Sequence, residues 1–150
     1  MTEPARSPEV RKQHVLKRLR EDVDAWVSTS SADGTPYLMP LSFLWDGETL
    51  LFSTAASNPT SLNLQATGRA HVALDHTRDV VLFTATVETL RAEDLAPGVA
   101  DAFATKTGFD PREAAALYLY FRFTPDTLQS WREANELPGR TLMQNNTWLV

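Results

Sequence analysis

Between Asp24 and Thr54 the sequence alternates its two faces residue by residue, in three runs separated by tight turns. A period of two belongs to β-strands, so this stretch reads as an antiparallel meander. In "DAWVSTSS" Ala25, Val27 and Thr29 oppose Trp26, Ser28 and Ser30. "ADG" (32–34) and "DGE" (46–48) are hairpin turns, with Gly34 free to take a positive φ. "TPYLMPLSFLW" (35–45) puts Tyr37, Met39, Leu41, Phe43 and Trp45 on one face and adds Leu38 and Leu44 to the other. A strand apolar on both faces is covered on both. In a chain of 150 residues a second subunit can supply one of those covers. Pro40 has no N–H for a ladder, so the backbone there is expected at an edge, at a bulge or against a ligand. "ETLLFST" is the third strand.

The rest of the chain adds three strands and short helices. Ser7-Pro8 starts a helix, with Glu9 in its first turn and Val15, Leu16, Leu19 and Val23 as its apolar stripe. Asn58-Pro59 starts another by the same logic of an acceptor at the cap, running from about Pro59 to Ala66 and ended by Gly68. "RAHVALDH" and "DVVLFTATVETL" are strands four and five, joined at Thr77-Arg78, with His71 and His76 expected on opposite faces of a strand. "APGVADAFATKTG" is a helix closed by Gly108. "DPREAAALY" carries a capping box of Asp110 and Glu113 around Pro111, which predicts a further helix. "YLYFRFTP" is the sixth strand, and "DTLQSWR" either extends it or leaves the sheet. Leu137, Leu142, Met143, Trp148 and Leu149 make 135–150 a docking tail. The expected fold is mainly β: a six-stranded antiparallel barrel in one domain over 1–150, with an N-terminal helix (1–22) and one or two helices between strands five and six.

Charge and composition remove several function classes. Residues 1–20 hold six Lys/Arg against Glu3 and Glu9, whereas residues 21–150 hold eight basic and seventeen acidic residues. The basic helix is expected to present a solvated face, and an acidic remainder does not suit a phosphate backbone, so nucleic acid is not expected as a partner. No apolar run approaches the roughly 20 residues of a membrane span, and the start lacks a signal-peptide core; no membrane partner and a cytoplasmic location are expected. There is no cysteine, and His14, His71 and His76 form no ligand spacing, so no metal is expected. No nucleophile elbow, P-loop or dinucleotide fingerprint occurs.

The helix that starts at Asn58-Pro59 leaves a strand end, the geometry of an anion site. Yet no Lys or Arg lies between Arg20 and Arg69. An anion there must rely on N–H groups, hydroxyls, or cations from elsewhere, such as Lys106, Arg69 or Arg140.

The order of "DGTPY", a strand with a central proline, a strand ending "FST", a short helix with "NL", "GRAHVAL", "TRDVVLFTATVE" and "FRFTPDTLQSW" resembles the flavin-binding split barrels of the pyridoxamine 5′-phosphate oxidase family, over residues 20–150. Its wider relatives include flavin and deazaflavin oxidoreductases. The resemblance implies a split barrel of Greek-key type and a homodimer with flavin sites at the subunit interface. It places Met39, Pro40, Leu41 and Ser42 along the flavin ring, and Ser53 and Thr54 at positions that contact the cofactor. Asn58 and Thr60 fall on the family's phosphate clamp, Asp79 on a glutamine that reaches the flavin, and Trp131 and Arg140 on residues that reach it from the C-terminal part.

The departures are equally specific. The clamp's arginine and lysine are Pro59 and Thr60, and the oxidase's substrate-gripping arginine is Leu137. Losing two charge-assisted bonds is expected to weaken phosphate binding by on the order of two to four decades. The expected function is therefore an FMN- or deazaflavin-dependent oxidoreductase that transfers hydride to or from a small molecule other than pyridoxamine phosphate. No residue stands out as its acid or base. The alternative is a non-catalytic split barrel that binds a flavin, haem or another hydrophobic ligand.

Overall fold

The computed structural model describes residues 3–150. Helix α1 (Pro8–Glu21) begins where Ser7 Oγ accepts the Val10 N–H at 3.2 Å. Strands β1 (Asp24–Ser30), β2 (Pro36–Trp45) and β3 (Leu50–Ala55) follow as the expected meander. An aspartate ties each turn. Asp33 accepts from Thr35 N at 3.2 Å, and Asp46 accepts from Glu48 N at 2.8 Å and Thr49 N at 2.7 Å. Helix α2 (Pro59–Thr67) leads to β4 (Arg69–Leu74) and β5 (Val80–Leu90). Helix α3 (Val99–Thr107) precedes the long β6 (Tyr118–Trp131) and the small hairpin β7 (Thr141–Gln144) and β8 (Thr147–Trp148).

The sheet runs β3-β2-β1-β4-β5-β6-β7-β8, and β3 also pairs with β6. That last pairing closes six antiparallel strands into a barrel and leaves β7 and β8 as an extension. Phe43, Phe52, Phe83, Phe121 and Phe123 are fully buried inside it, with the Phe52 and Phe123 rings 4.5 Å apart. A second cluster lies outside the wall, where Leu51 and Tyr120 meet Ala100 and Phe103 of α3. Alternate residues of β3 and β6 thus face two apolar layers. Among the described residues no helix is long and apolar enough to cross a membrane.

Several expectations change. The capping box at Asp110 yields only a single 3₁₀ turn, Pro111–Glu113. Arg112 takes the Asp110 carboxylate through its N–H at 3.0 Å and its Nε at 2.9 Å, and the chain must then extend, because Leu117 O accepts from Ala56 N and Tyr118 pairs with Ala55. "DTLQSWR" extends the sixth strand as far as Trp131. The tail docks as β7–β8, burying Leu142 and Met143 but leaving Leu137 and Leu149 exposed. His76 lies in the β4–β5 connection rather than on a strand. Val23 follows α1 and is exposed.

Nor is the face of α1 simply solvated. Arg11 is buried and donates to Gly139 O at 3.1 Å and to Ser130 O and Glu136 O at 3.3 Å. Lys12 donates to Val150 O at 2.8 Å. The helix spends these cations on the C-terminal segment.

Candidate functional site: the split between two strands

β2 and β3 are paired only from Phe43 to Trp45 on one side and Leu50 to Phe52 on the other. Beyond the Phe43–Phe52 pair the strands part. β2 stays with β1 through Pro36, whereas β3 stays with β6 through Ala55. A split opens between Met39–Ser42 and Ser53–Ala55. Phe43 N donates to Val23 O at 2.9 Å, towards the β1 side. Backbone direction alternates along a strand, so Leu41 and Met39 also turn theirs to β1, while Leu38, Pro40 and Ser42 turn theirs to the open edge. Pro40 therefore costs no ladder bond. Leu38 and Ser42 aim N–H groups into the split. Met39 shares a face with buried Phe43 yet is 36% exposed, because β3 no longer covers it.

Helix α2 begins at the far rim and packs against β1, β2, β3 and β5. Asn58 has the extended backbone of a cap, but its side chain makes no cap bond. Instead its Nδ2 donates to Thr54 Oγ1 at 3.0 Å, fastening the helix to β3. The first-turn N–H groups are thereby left to other acceptors. Thr60 is buried and its Oγ1 has no partner among the described residues, whereas the buried Ser61 Oγ accepts from Gln65 at 3.0 Å. Ser53 Oγ is committed to Leu119 O at 2.8 Å. Arg69 lies past the opposite end of α2, about 13 Å away along a nine-residue helix, and does not serve this end. The cation beside the split is Lys106 of α3, whose ammonium sits 5.1 Å from the centroid of the Phe43 ring.

The remaining predicted residues gather elsewhere. Asp79 precedes β5 and faces three guanidinium groups: Arg132 at 3.4 Å, Arg6 at 3.9 Å and Arg18 at 4.0 Å. Arg140 stacks over Trp131, its Cζ 5.9 Å from the ring centroid. Trp131 pairs with Val80, at the far end of β6 from the Tyr118–Phe123 stretch that borders β3. Through β1, β4 and β5, β2 and β6 are four strands apart, and through β3 two, but β3 borders only the Tyr118–Phe123 end of β6. Within one chain the structure brings Met39–Ser42, Ser53, Thr54, Asn58 and Thr60 together and sets Asp79, Trp131 and Arg140 apart.

Glu136 joins the second group. It accepts from Arg6 Nε at 2.9 Å, Arg6 NH2 at 2.7 Å, Arg6 N at 2.9 Å and Arg132 N at 2.8 Å. The Arg6 side chain first, then these N–H groups, hold its pKa down to about 2. His14 Nδ1 lies 3.0 Å from Arg6 NH1, and burial together with Arg132 and Arg6 pushes its pKa below the usual histidine value. No spacing in the sequence signals this cluster, since Arg6 and Glu136 are 130 positions apart. Lys106 did leave a signal: it is the one lysine outside the N-terminal helix.

The donors at the split suit an anionic group such as a phosphate ester. They comprise the free N–H groups of an α2 first turn, the unpartnered Thr60 hydroxyl, edge N–H groups on β2 and one ammonium. The family model for pyridoxamine 5′-phosphate oxidase matches residues 12–132. No curated protein matches the chain. Among solved structures, an F420 reductase is similar at 18% identity, covering 75% of this chain and 93% of its own, with a TM-score of 0.62. The haem storage protein HutZ of Vibrio cholerae is similar at 14% identity, covering 77% and 89%, with a TM-score of 0.63. A pyridoxamine 5′-phosphate oxidase-related, FMN-binding protein of Nostoc punctiforme is similar at 18% identity, covering 79% and 80%, with a TM-score of 0.55. At these identities the likeness is one of fold.

Proposed function

The chain belongs to the pyridoxamine 5′-phosphate oxidase family, and on that premise we propose that it binds FMN or a deazaflavin in the β2–β3 split and uses it to oxidise or reduce a small molecule other than pyridoxamine phosphate. The observation that carries this reading is the split itself, where β2 at Met39–Ser42 parts from β3 at Ser53–Ala55. When bound, such a cofactor supplies hydride transfer. Leu38 and Ser42 N–H groups hydrogen-bond the heteroatoms on the ring edge, and Met39 and Leu41 give it an apolar bed. The first turn of α2 takes the phosphate through N–H groups of Thr60 and Ser61.

The second half of the site comes from another copy of the chain in a homodimer. Trp131 and Arg140 sit at the end of β6 away from the stretch that borders β3, and in the proposed dimer a second copy supplies them to the split. The outer face of β1, β2, β4 and β5 suits that contact: Trp26, Leu38 and Leu82 line an open apolar groove, with Leu38 56% exposed. The protein works in the cytoplasm, where nicotinamide or flavin reductants are at hand.

A second reading is favoured by one observation. Neither serine hydroxyl of the rim is free to act on a substrate, since Ser42 Oγ donates to Asp24 and Ser53 Oγ to Leu119 O. A split barrel that stores a flavin or haem without turnover needs neither. Visible absorption of the purified protein, followed by fluorescence titration with FMN and with the deazaflavin, separates the outcomes. Saturable flavin binding with electron exchange from a reductant supports the oxidoreductase. Tight binding without exchange supports storage, and no binding at high micromolar ligand excludes both flavin readings.

A further inference from the structure

Lys106 is in none of the ion pairs among the described residues. It lies 5.1 Å from the centroid of Phe43, the last β2 residue paired to β3 before the strands part. Three residues on, Phe109 packs on Tyr118 at 5.3 Å, and Tyr118 pairs with Ala55. Ala56, in the turn that starts α2, donates to Leu117 O at 2.9 Å. The last turn of α3 thus runs beside the split, with Lys106 against Phe43 on the β2 side and Phe109 towards the approach to α2.

The side chain is half-buried, and desolvation pushes its pKa below the usual lysine value, with Asp22 opposing from beyond hydrogen-bond reach. A partly desolvated ammonium without a carboxylate costs stability unless an anion completes it. The neutral donors at the start of α2 lack the charge that a phosphate ester requires for tight binding. We propose that Lys106 is the cation for the phosphate ester of the ligand bound in the split, replacing from α3 the two cations absent from the start of α2. This rests on the flavin reading above and adds to it a specificity: phosphorylated over unphosphorylated forms of the same ring.

Fluorescence titration of the full chain with FMN and with riboflavin, and with a deazaflavin bearing or lacking its phosphate, tests the assignment. The variants are Lys106→Met and Lys106→Arg. Wild type is expected to prefer the phosphorylated ligand, with an affinity that falls as salt rises. K106M is expected to lose about 10- to 100-fold towards the phosphorylated form, with a flatter salt dependence. Its affinity for the unphosphorylated form stays within about twofold, and K106R keeps most of the preference. The melting temperature of K106M without ligand is expected to equal or exceed that of wild type, which excludes misfolding as the cause. Equal losses for both ligand forms, or none, overturn the assignment of Lys106 while the flavin reading stands. Failure of wild type to bind any of the four ligands overturns both.

Discussion

Glu136 accepts four N–H groups, three from Arg6 and one from Arg132, at 97% burial. A carboxyl whose pKa falls to about 2 on folding binds its proton more weakly in the native state than in the unfolded chain. Its contribution is complete above pH 4.5 and is lost as pH falls towards 2, an effect of about 3 kcal/mol. Urea titrations across this range are expected to show that loss. Glu136→Gln is expected to flatten it and to cost about 3 kcal/mol at pH 7, because it strands Arg6. His14 adds a second, higher step. Its folded pKa is depressed, so the unfolded chain takes up the proton first and stability declines as pH falls below 6.5. His14→Gln is expected to remove that step. None of this was legible in the sequence, since an ion cluster joining the two ends of a chain has no periodicity. Asp79 shows the same limit. Its place at the start of the fifth strand could be read, but its three arginine neighbours could not.

At the scale of elements, β1, β4 and β5 were legible because one side of each is committed to a core and the other is not. The turns were legible because Asp33 and Asp46 bond their own backbones two residues on. Where long-range pairing decides, local signals failed: the cap at Asp110 lost to the β3–β6 ladder. The Asn58 cap chose Thr54 over its own helix. Pro40 allows a direct test of the split. Its nitrogen faces the open edge, so Pro40→Ala is expected to change stability by less than about 1 kcal/mol. Leu41 turns its N–H towards β1, so Leu41→Pro is expected to cost about 3 kcal/mol or more. Equilibrium unfolding in urea measures both. A large loss in Pro40→Ala would mean that β2 is bonded on that side after all.

At the scale of the molecule, the barrel is closed by β3 and β6, and it is left open where β2 and β3 part. The closure explains how a chain this short buries five phenylalanines in one layer. The parting explains the sequence's apparent contradiction, a strand apolar on both faces with a proline at its centre. The outer face of that strand, with Trp26 and Leu38 exposed, carries the proposed homodimer contact. Leu38→Asp is expected to convert a dimer of about 33 kDa into the 16.7 kDa monomer in light scattering after gel filtration. It is also expected to abolish flavin binding, because Trp131 and Arg140 then cannot reach the split. Monomeric wild type would contradict the shared site.

The central claim is that the split is the ligand site, completed by a second copy of the chain. A crystal structure of the full chain soaked with FMN tests it most directly. The account predicts the ring along Met39–Ser42, the phosphate over Thr60 and Ser61 within reach of Lys106, and Trp131 and Arg140 approaching from the second copy. FMN bound away from the split, or held entirely by one chain, would contradict it.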